Sequence, residues 1–162
     1  MTGMAGRTDG TDGTESFARS RTSAAKRARV GLLILGVPNL IVGAWALFAP
    51  RSWYDDFPAV GQGWVAAFGA FNRHFVQDIG DAYLGFGALL LFAALRLTYS
   101  LVRGALLGFL VFAGPHFLVH VFVRESLSTA AYIGTLAPQV FAIGVAIWLI
   151  VVSASLSKEV IS

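Results

Sequence analysis

The sequence predicts an all-α protein, a four-helix transmembrane bundle with its N-terminus and C-terminus cytoplasmic. Three observations carry that expectation. Of the 162 residues, 56% are hydrophobic and 13% charged, against about 25% charged in ordinary soluble domains. Mean hydropathy is +0.70, so much of the surface must face lipid rather than water. The apolar residues also fall in long runs rich in Leu, Ala and Phe, without the alternation of strands. An α-helix rises about 1.5 Å per residue, so about 20 such residues cross a hydrocarbon core of roughly 30 Å. Finally, Lys and Arg are divided unevenly between the two sides that such runs define.

Residues 1–28 are mostly Gly, Thr, Ser, Asp and Arg, with Phe17 as the main apolar exception. They read as a disordered cytoplasmic tail. The membrane domain then covers 29–155. Its first span, 30–49, has no charge and carries Pro38-Asn39 at mid-depth, where a kink or an interior contact is expected. Ala44-Trp45-Ala46 has the small-x-small form of a signal-peptide cleavage site, but the apolar run continues past it to Ala49, which favours a retained span. Residues 50–63 read as a loop with Pro50, Pro58, Gly61 and Gly63, and Asp55 and Asp56 as solvated loop carboxylates. Trp53, Tyr54 and Trp64 suit an interfacial aromatic belt. A short interfacial helix is expected over 64–71. Further spans follow at 74–95, 104–123 and 132–152, with Arg96 and Arg103 flanking a short loop. Residues 156–162 form a second short cytoplasmic tail.

Orientation follows from the basic residues. Arg19, Arg21, Lys26, Arg27, Arg29, Arg96, Arg103 and Lys158 fall on one side, and Arg51, Arg73 and Arg124 on the other. The richer side is expected inside, in a multi-pass protein of the cell (inner or plasma) membrane. The pI near 9.7 therefore reflects topology and attraction to anionic headgroups rather than nucleic-acid binding, for which no motif is present. The sequence has no cysteine, which excludes disulfides, thiolate metal sites and lipid attachment through cysteine.

Ionisable residues inside spans are costly, so His74, Asp78, Asp81, His116 and His120 need an explanation. At 100° per residue, with His74 at 0°, Asp78 falls at about 40°, Asp81 at about −20° and Gln77 at about −60°. Gly85 continues this wedge one turn deeper. His116 and His120 are four apart and share a face of the third span. Antiparallel neighbours would place the two polar stripes at matching depth in the outer half of the bilayer. Pro115 could open space beside His116, and Gln139, after Pro138, and Asn39 are accessory polar residues. Two imidazoles at i, i+4 with a third imidazole and a carboxylate form a nitrogen–oxygen set suited to a transition metal: zinc, iron or copper. The same groups also suit a proton relay or hydrogen-bonded glue between helices. Gly104 and Gly108 form a weak small-xxx-small pattern.

The layout resembles small four-span bacterial proteins of the DoxX-like kind, whose second helix opens with a polar segment containing Asn and Arg and continues Gly-rich. Here that segment reads Phe71-Asn72-Arg73-His74-Phe75-Val76-Gln77-Asp78. The sequence is also similar to actinobacterial membrane proteins with a WYDDFP-like loop (53–58), an FNxHxxxD segment (71–78) and a PHxxxH segment (115–120). The resemblance spans about residues 30–152 and implies a fold, but brings no established reaction. The leading expectation is thus a small polytopic membrane protein with an outward-facing His/Asp site open to metal, redox or hydrolytic chemistry. Its alternatives are a non-enzymatic accessory subunit of a membrane complex and a proton-coupled carrier acting as a homo-oligomer. Nucleotide-binding loops, dinucleotide fingerprints and serine-hydrolase elbows are missing.

Overall fold

The computed structural model describes residues 9–124, 126–154 and 156, with side chains from Thr22 onward. Among them the chain forms α1 (Asp9–Phe48), α2 (Pro50–Asp56), a 3-10 turn (Val65–Phe68), α3 (Arg73–Arg96), α4 (Tyr99–Phe122) and α5 (Thr129–Ser153). There is no strand among the described residues. Four helical segments are long and apolar enough to cross a membrane: Thr22–Phe48 within α1, and the whole of α3, α4 and α5. They form a closed ring in which α1 packs on α3 and α5, and α4 packs on the same two.

The first helix begins well before the expected boundary at residue 29. Residues 22–28 are helical, and Ala24 and Ala28 are buried at 1% and 0% exposure. With Leu32 and Leu35 they form one apolar stripe at i, i+4 and i+3 spacing, while Lys26 and Arg27 are exposed. Alanines among arginines do not register as an apolar run, yet a helix collects them on one side. Residues 1–8 of the expected N-terminal tail, and 157–162 of the C-terminal one, lie outside the described residues.

Two connections also differ from expectation. The 50–63 loop contains α2, begun by Pro50, whose fixed φ suits a first helical position. The turn between α3 and α4 is only Leu97 and Thr98, with Leu97 in the left-handed region at φ 50°. Arg103 therefore lies inside α4 rather than in a loop. Its guanidinium donates to the Ile150 carbonyl of α5 at 3.1 Å, and Arg29 donates to Ala94 of α3 at 3.1 Å. Both satisfy carbonyls close to helix C-termini, where the backbone leaves acceptors unpaired and the dipole favours cations.

The closest packing joins α1 to α3. A Cβ on Gly43 would stand 2.6 Å from the Leu84 backbone nitrogen, and one on Gly80 would stand 2.7 Å from that of Leu47. One on Gly87 would meet the Leu40 nitrogen at 2.8 Å. Only hydrogen fits at these crossings. Without a hydrophobic drive between helices in lipid, such close approach supplies the dispersion contact that holds a span pair together. Gly104, by contrast, faces open space, and a Cβ on Gly108 would reach only Phe86 at 3.8 Å. Leu32, Leu90, Leu106 and Leu149, one from each spanning helix, are fully buried together. This seals the bundle toward the Leu97–Thr98 end. At the other end a smaller cluster of Ala46, Trp53 and Val76 ties α2 to α1 and α3.

Candidate functional site

The polar residues sit toward the less tightly sealed end, divided between α3 and α4. Asn72 starts that helix by accepting the Phe75 N–H at 3.1 Å, an N-cap that fixes where the polar segment enters. One turn on, His74 Nδ1 lies 3.3 Å from Asp78 Oδ1, with side chains 88% and 58% exposed. Asp81 is exposed as well and makes no hydrogen bond or ion pair among the described residues. Gln77, at the margin of the wedge, donates to the Leu47 carbonyl of α1 at 3.2 Å.

His116 and His120 stand together on α4, ring centroids 4.7 Å apart and edge to face. Their surroundings are aromatic. His116 stacks on Phe112 at 5.6 Å and meets the edge of Tyr83 at 6.5 Å. His120 meets Phe68 of the 3-10 turn at 5.1 Å, and its Nδ1 is buried without a hydrogen-bond partner. Tyr83 is the residue of α3 that faces the imidazoles. It lies about 180° around the helix from His74, so the carboxylates of the wedge look away from α4.

The expected convergence of His74, Asp78 and Asp81 on His116 and His120 is thus replaced by two separate pairs and a lone carboxylate. The rotation of α3 explains this. Gly80 and Gly87 must face α1, and Tyr83 and Phe86 pack against Phe112 and Phe109 of α4, which leaves the wedge on the outer surface. No group of three or more His, Asp or Glu side chains is placed to hold a metal among the described residues. Among the described residues the two imidazoles of α4 come together without a carboxylate beside them.

The accessory residues serve the backbone. Asn39 donates to Leu35 at 2.8 Å and Gln139 to Thr135 at 2.9 Å, each the carbonyl four residues back. Each follows a proline that cannot donate to the preceding turn and that displaces its carbonyls, so the amide re-satisfies a loosened acceptor. The 53–58 segment closes its own loop. Asp56 accepts from Ser52 and from the Gly61 N–H, both at 3.1 Å, and Tyr54 donates to the Gly69 carbonyl. Asp55 pairs with Arg51 at 2.6 Å, and this hydrogen bond, with the carboxylate's charge, raises the Arg51 pKa above its ordinary value. Trp64 lies against Gly134 of α5, where a Cβ would collide with the indole.

Fold and side-chain placement together define the class: a small multi-pass membrane protein with four candidate spans. Comparison with family models, with curated proteins and with solved structures gives no match.

Proposed function

We propose that this chain is a non-enzymatic subunit of a membrane assembly, with both tails cytoplasmic, and that it works through contacts made inside the bilayer by the outer face of α3. The observation behind this is the position of Asp81. The 24 residues of α3 make a helix about 36 Å long, overhanging a roughly 30 Å core by about 3 Å at each end. Asp81 lies about 12 Å along the axis from Arg73, so it sits about 9 Å below the hydrocarbon boundary, exposed on the outer face. Insertion scales put an Asp at the helix centre at roughly 2.5–3.5 kcal/mol, falling toward the interface, and a carboxylate within the core ordinarily faces a protein interior or a polar cavity. Contact with another chain provides that environment. The DoxX-like resemblance is compatible with this reading.

The test is the size of the full chain extracted from its own membrane into a mild detergent. The wild type is expected in a particle holding more than one polypeptide, and the Asp78→Leu/Asp81→Leu variant as a folded monomer. Wild type that is monomeric at all concentrations would refute the proposal. A second reading, a small polar ligand site at His116 and His120, is favoured by the unpartnered, buried His120 Nδ1. Under it, zinc raises the melting temperature and His116→Ala/His120→Ala abolishes the rise. Under the first reading, zinc leaves the melting temperature unchanged.

A further inference from the structure

The two ends of the bundle differ in charge. Toward the Leu97–Thr98 turn lie Lys26, Arg27, Arg29, Arg96 and Arg103, whereas Asp55, Asp56, Asp78 and Asp81 all belong to the opposite half. No carboxylate whose side chain is described stands at the basic end. Glu15, the nearest acid upstream in α1, lies about 16 Å along the helix axis from Lys26. Two of the arginines are already committed: Arg29 to the Ala94 carbonyl and Arg103 to that of Ile150. Arg27 donates to the Ser23 hydroxyl. Arg96 differs. It is exposed, makes no hydrogen bond or ion pair, and lies over the Phe92 ring at 5.8 Å.

Arg96 also borders an open cleft of about 800 Å³, which it lines with Phe92, Leu95, Thr98, Ser100 and Leu101. The Thr98 hydroxyl oxygen is buried without a hydrogen-bond partner, and it does not cap α4 although Thr98 starts that helix. Phe92 and Leu95 are 50% and 75% exposed. The cleft thus joins an unpaired cation and two hydroxyls to an apolar wall one helical turn deeper.

We propose that this cleft holds one anionic phospholipid, its phosphate against Arg96, Thr98 and Ser100 and an acyl chain along Phe92 and Leu95. As the last residue of α3, Arg96 lies just beyond the hydrocarbon core, at headgroup level, while Phe92 lies within the core. A guanidinium binds phosphate oxygens through two parallel N–H groups. The Thr98 hydroxyl needs only a χ1 rotation to donate to the same group. A free anion would satisfy Arg96 and leave the ring and leucine unused. A phospholipid matches both halves of the cleft. The orientation expected from the basic residues puts it in the cytoplasmic leaflet, where anionic headgroups attract such residues.

The full chain, purified in a neutral detergent, is titrated with phosphatidylglycerol, phosphatidylcholine or inorganic phosphate. Its melting temperature is followed, and native mass spectrometry counts retained lipid. Phosphatidylglycerol is expected to raise the melting temperature and to saturate at one lipid per chain, and the other two probes to do neither. Arg96→Gln should weaken phosphatidylglycerol binding about tenfold, the loss of a charge-assisted hydrogen bond, with Arg96→Lys restoring part. Thr98→Val should weaken it too, yet leave the lipid-free melting temperature no lower, since its hydroxyl has no partner within the chain; this variant carries the test if Arg96→Gln does not fold. Lys26→Gln/Arg27→Gln removes two charges from the same end and none from the cleft, and should bind as wild type. Equal weakening by that pair and by Arg96→Gln would replace the site with diffuse attraction to the basic end. Inorganic phosphate as effective as the lipid would overturn the lipid, and no response to phosphatidylglycerol would overturn the site.

Discussion

Replacing Gly80 by alanine tests whether the contact of α1 with α3 carries the stability of the bundle. The added Cβ would stand 2.7 Å from the Leu47 nitrogen and 3.0 Å from both the Leu47 Cα and the Gly43 carbonyl oxygen. Ordinary contact begins at 3.4 Å, so the helices must part locally by 3.4 − 2.7 = 0.7 Å. Every atom in the way is backbone, and none can rotate aside as a side chain could. Forced overpacking of this kind costs about 1–3 kcal/mol, against which alanine gains about 0.5–1 kcal/mol of intrinsic helix preference. A net loss of about 1–2 kcal/mol is expected. Gly144→Ala is the matched control, since nothing lies within 4 Å of its Cβ, and it should be neutral or slightly stabilising. Reversible unfolding of the purified chain in mixed micelles, followed by circular dichroism, measures the difference. Gly43→Ala should cost a similar amount. The Gly43→Ala/Gly80→Ala double variant should cost less than the sum, because one parting of the helices relieves both clashes. A Gly80→Ala chain as stable as Gly144→Ala would refute the packing argument.

Three further outcomes are expected. Arg29→Met and Arg103→Met each remove a hydrogen bond to a neighbouring helix and should each lower stability by about 1 kcal/mol, with lysine restoring part of it; unchanged unfolding curves would deny these arginines a packing role. Arg51→Ala should leave the melting temperature unchanged, although Asp55 raises the Arg51 pKa, because the pair is exposed and screened; a clear drop would show that the pair holds α2 in place. Cysteines at Ser100 and Ser126, both exposed, should react with an impermeant reagent from opposite sides of the membrane, Ser126→Cys from outside; labelling of both from one side would break the four-span topology.

The spans were legible because about 20 apolar residues in a row have few other uses. The start of α1 was not, since its inner face there is built from Ala24 and Ala28 between arginines. Glycine misled differently. Gly104 and Gly108 attract notice because they lie four apart in one segment, yet they face open space and ordinary contact. The glycines that matter, Gly43 on one helix and Gly80 and Gly87 on another, are far apart in sequence and become a motif only when α1 and α3 are laid together. The same limit applies to the polar residues. Helical geometry places His74, Asp78 and Asp81 on one face and His116 with His120 on another. It does not say which neighbour each face meets, and that choice is made by residues between them. Pro38-Asn39 and Pro138-Gln139 were visible as polar points in apolar runs, but their partners are carbonyls of their own helices, which a side-chain inventory does not reveal.

The rotation of α3 therefore decides where the polar residues of this chain face. Gly80 and Gly87 tolerate no rotation, because turning any side chain toward α1 would force the backbones apart. Tyr83 and Phe86 then fall toward α4, and the aromatic cage they complete leaves His116 beside rings rather than carboxylates. With two faces fixed, Asp78 and Asp81 can only look outward. A chain selected for stability alone would place leucine there, as α4 and α5 place Val111 and Ile147 on their own outer faces. On the proposed reading, keeping carboxylates at that depth costs stability in the isolated bundle, and a covering surface recovers it. The geometry that dissolves the single His/Asp centre leaves the ionisable groups of α3 on the outside of the bundle and sets the imidazoles of α4 among aromatic rings.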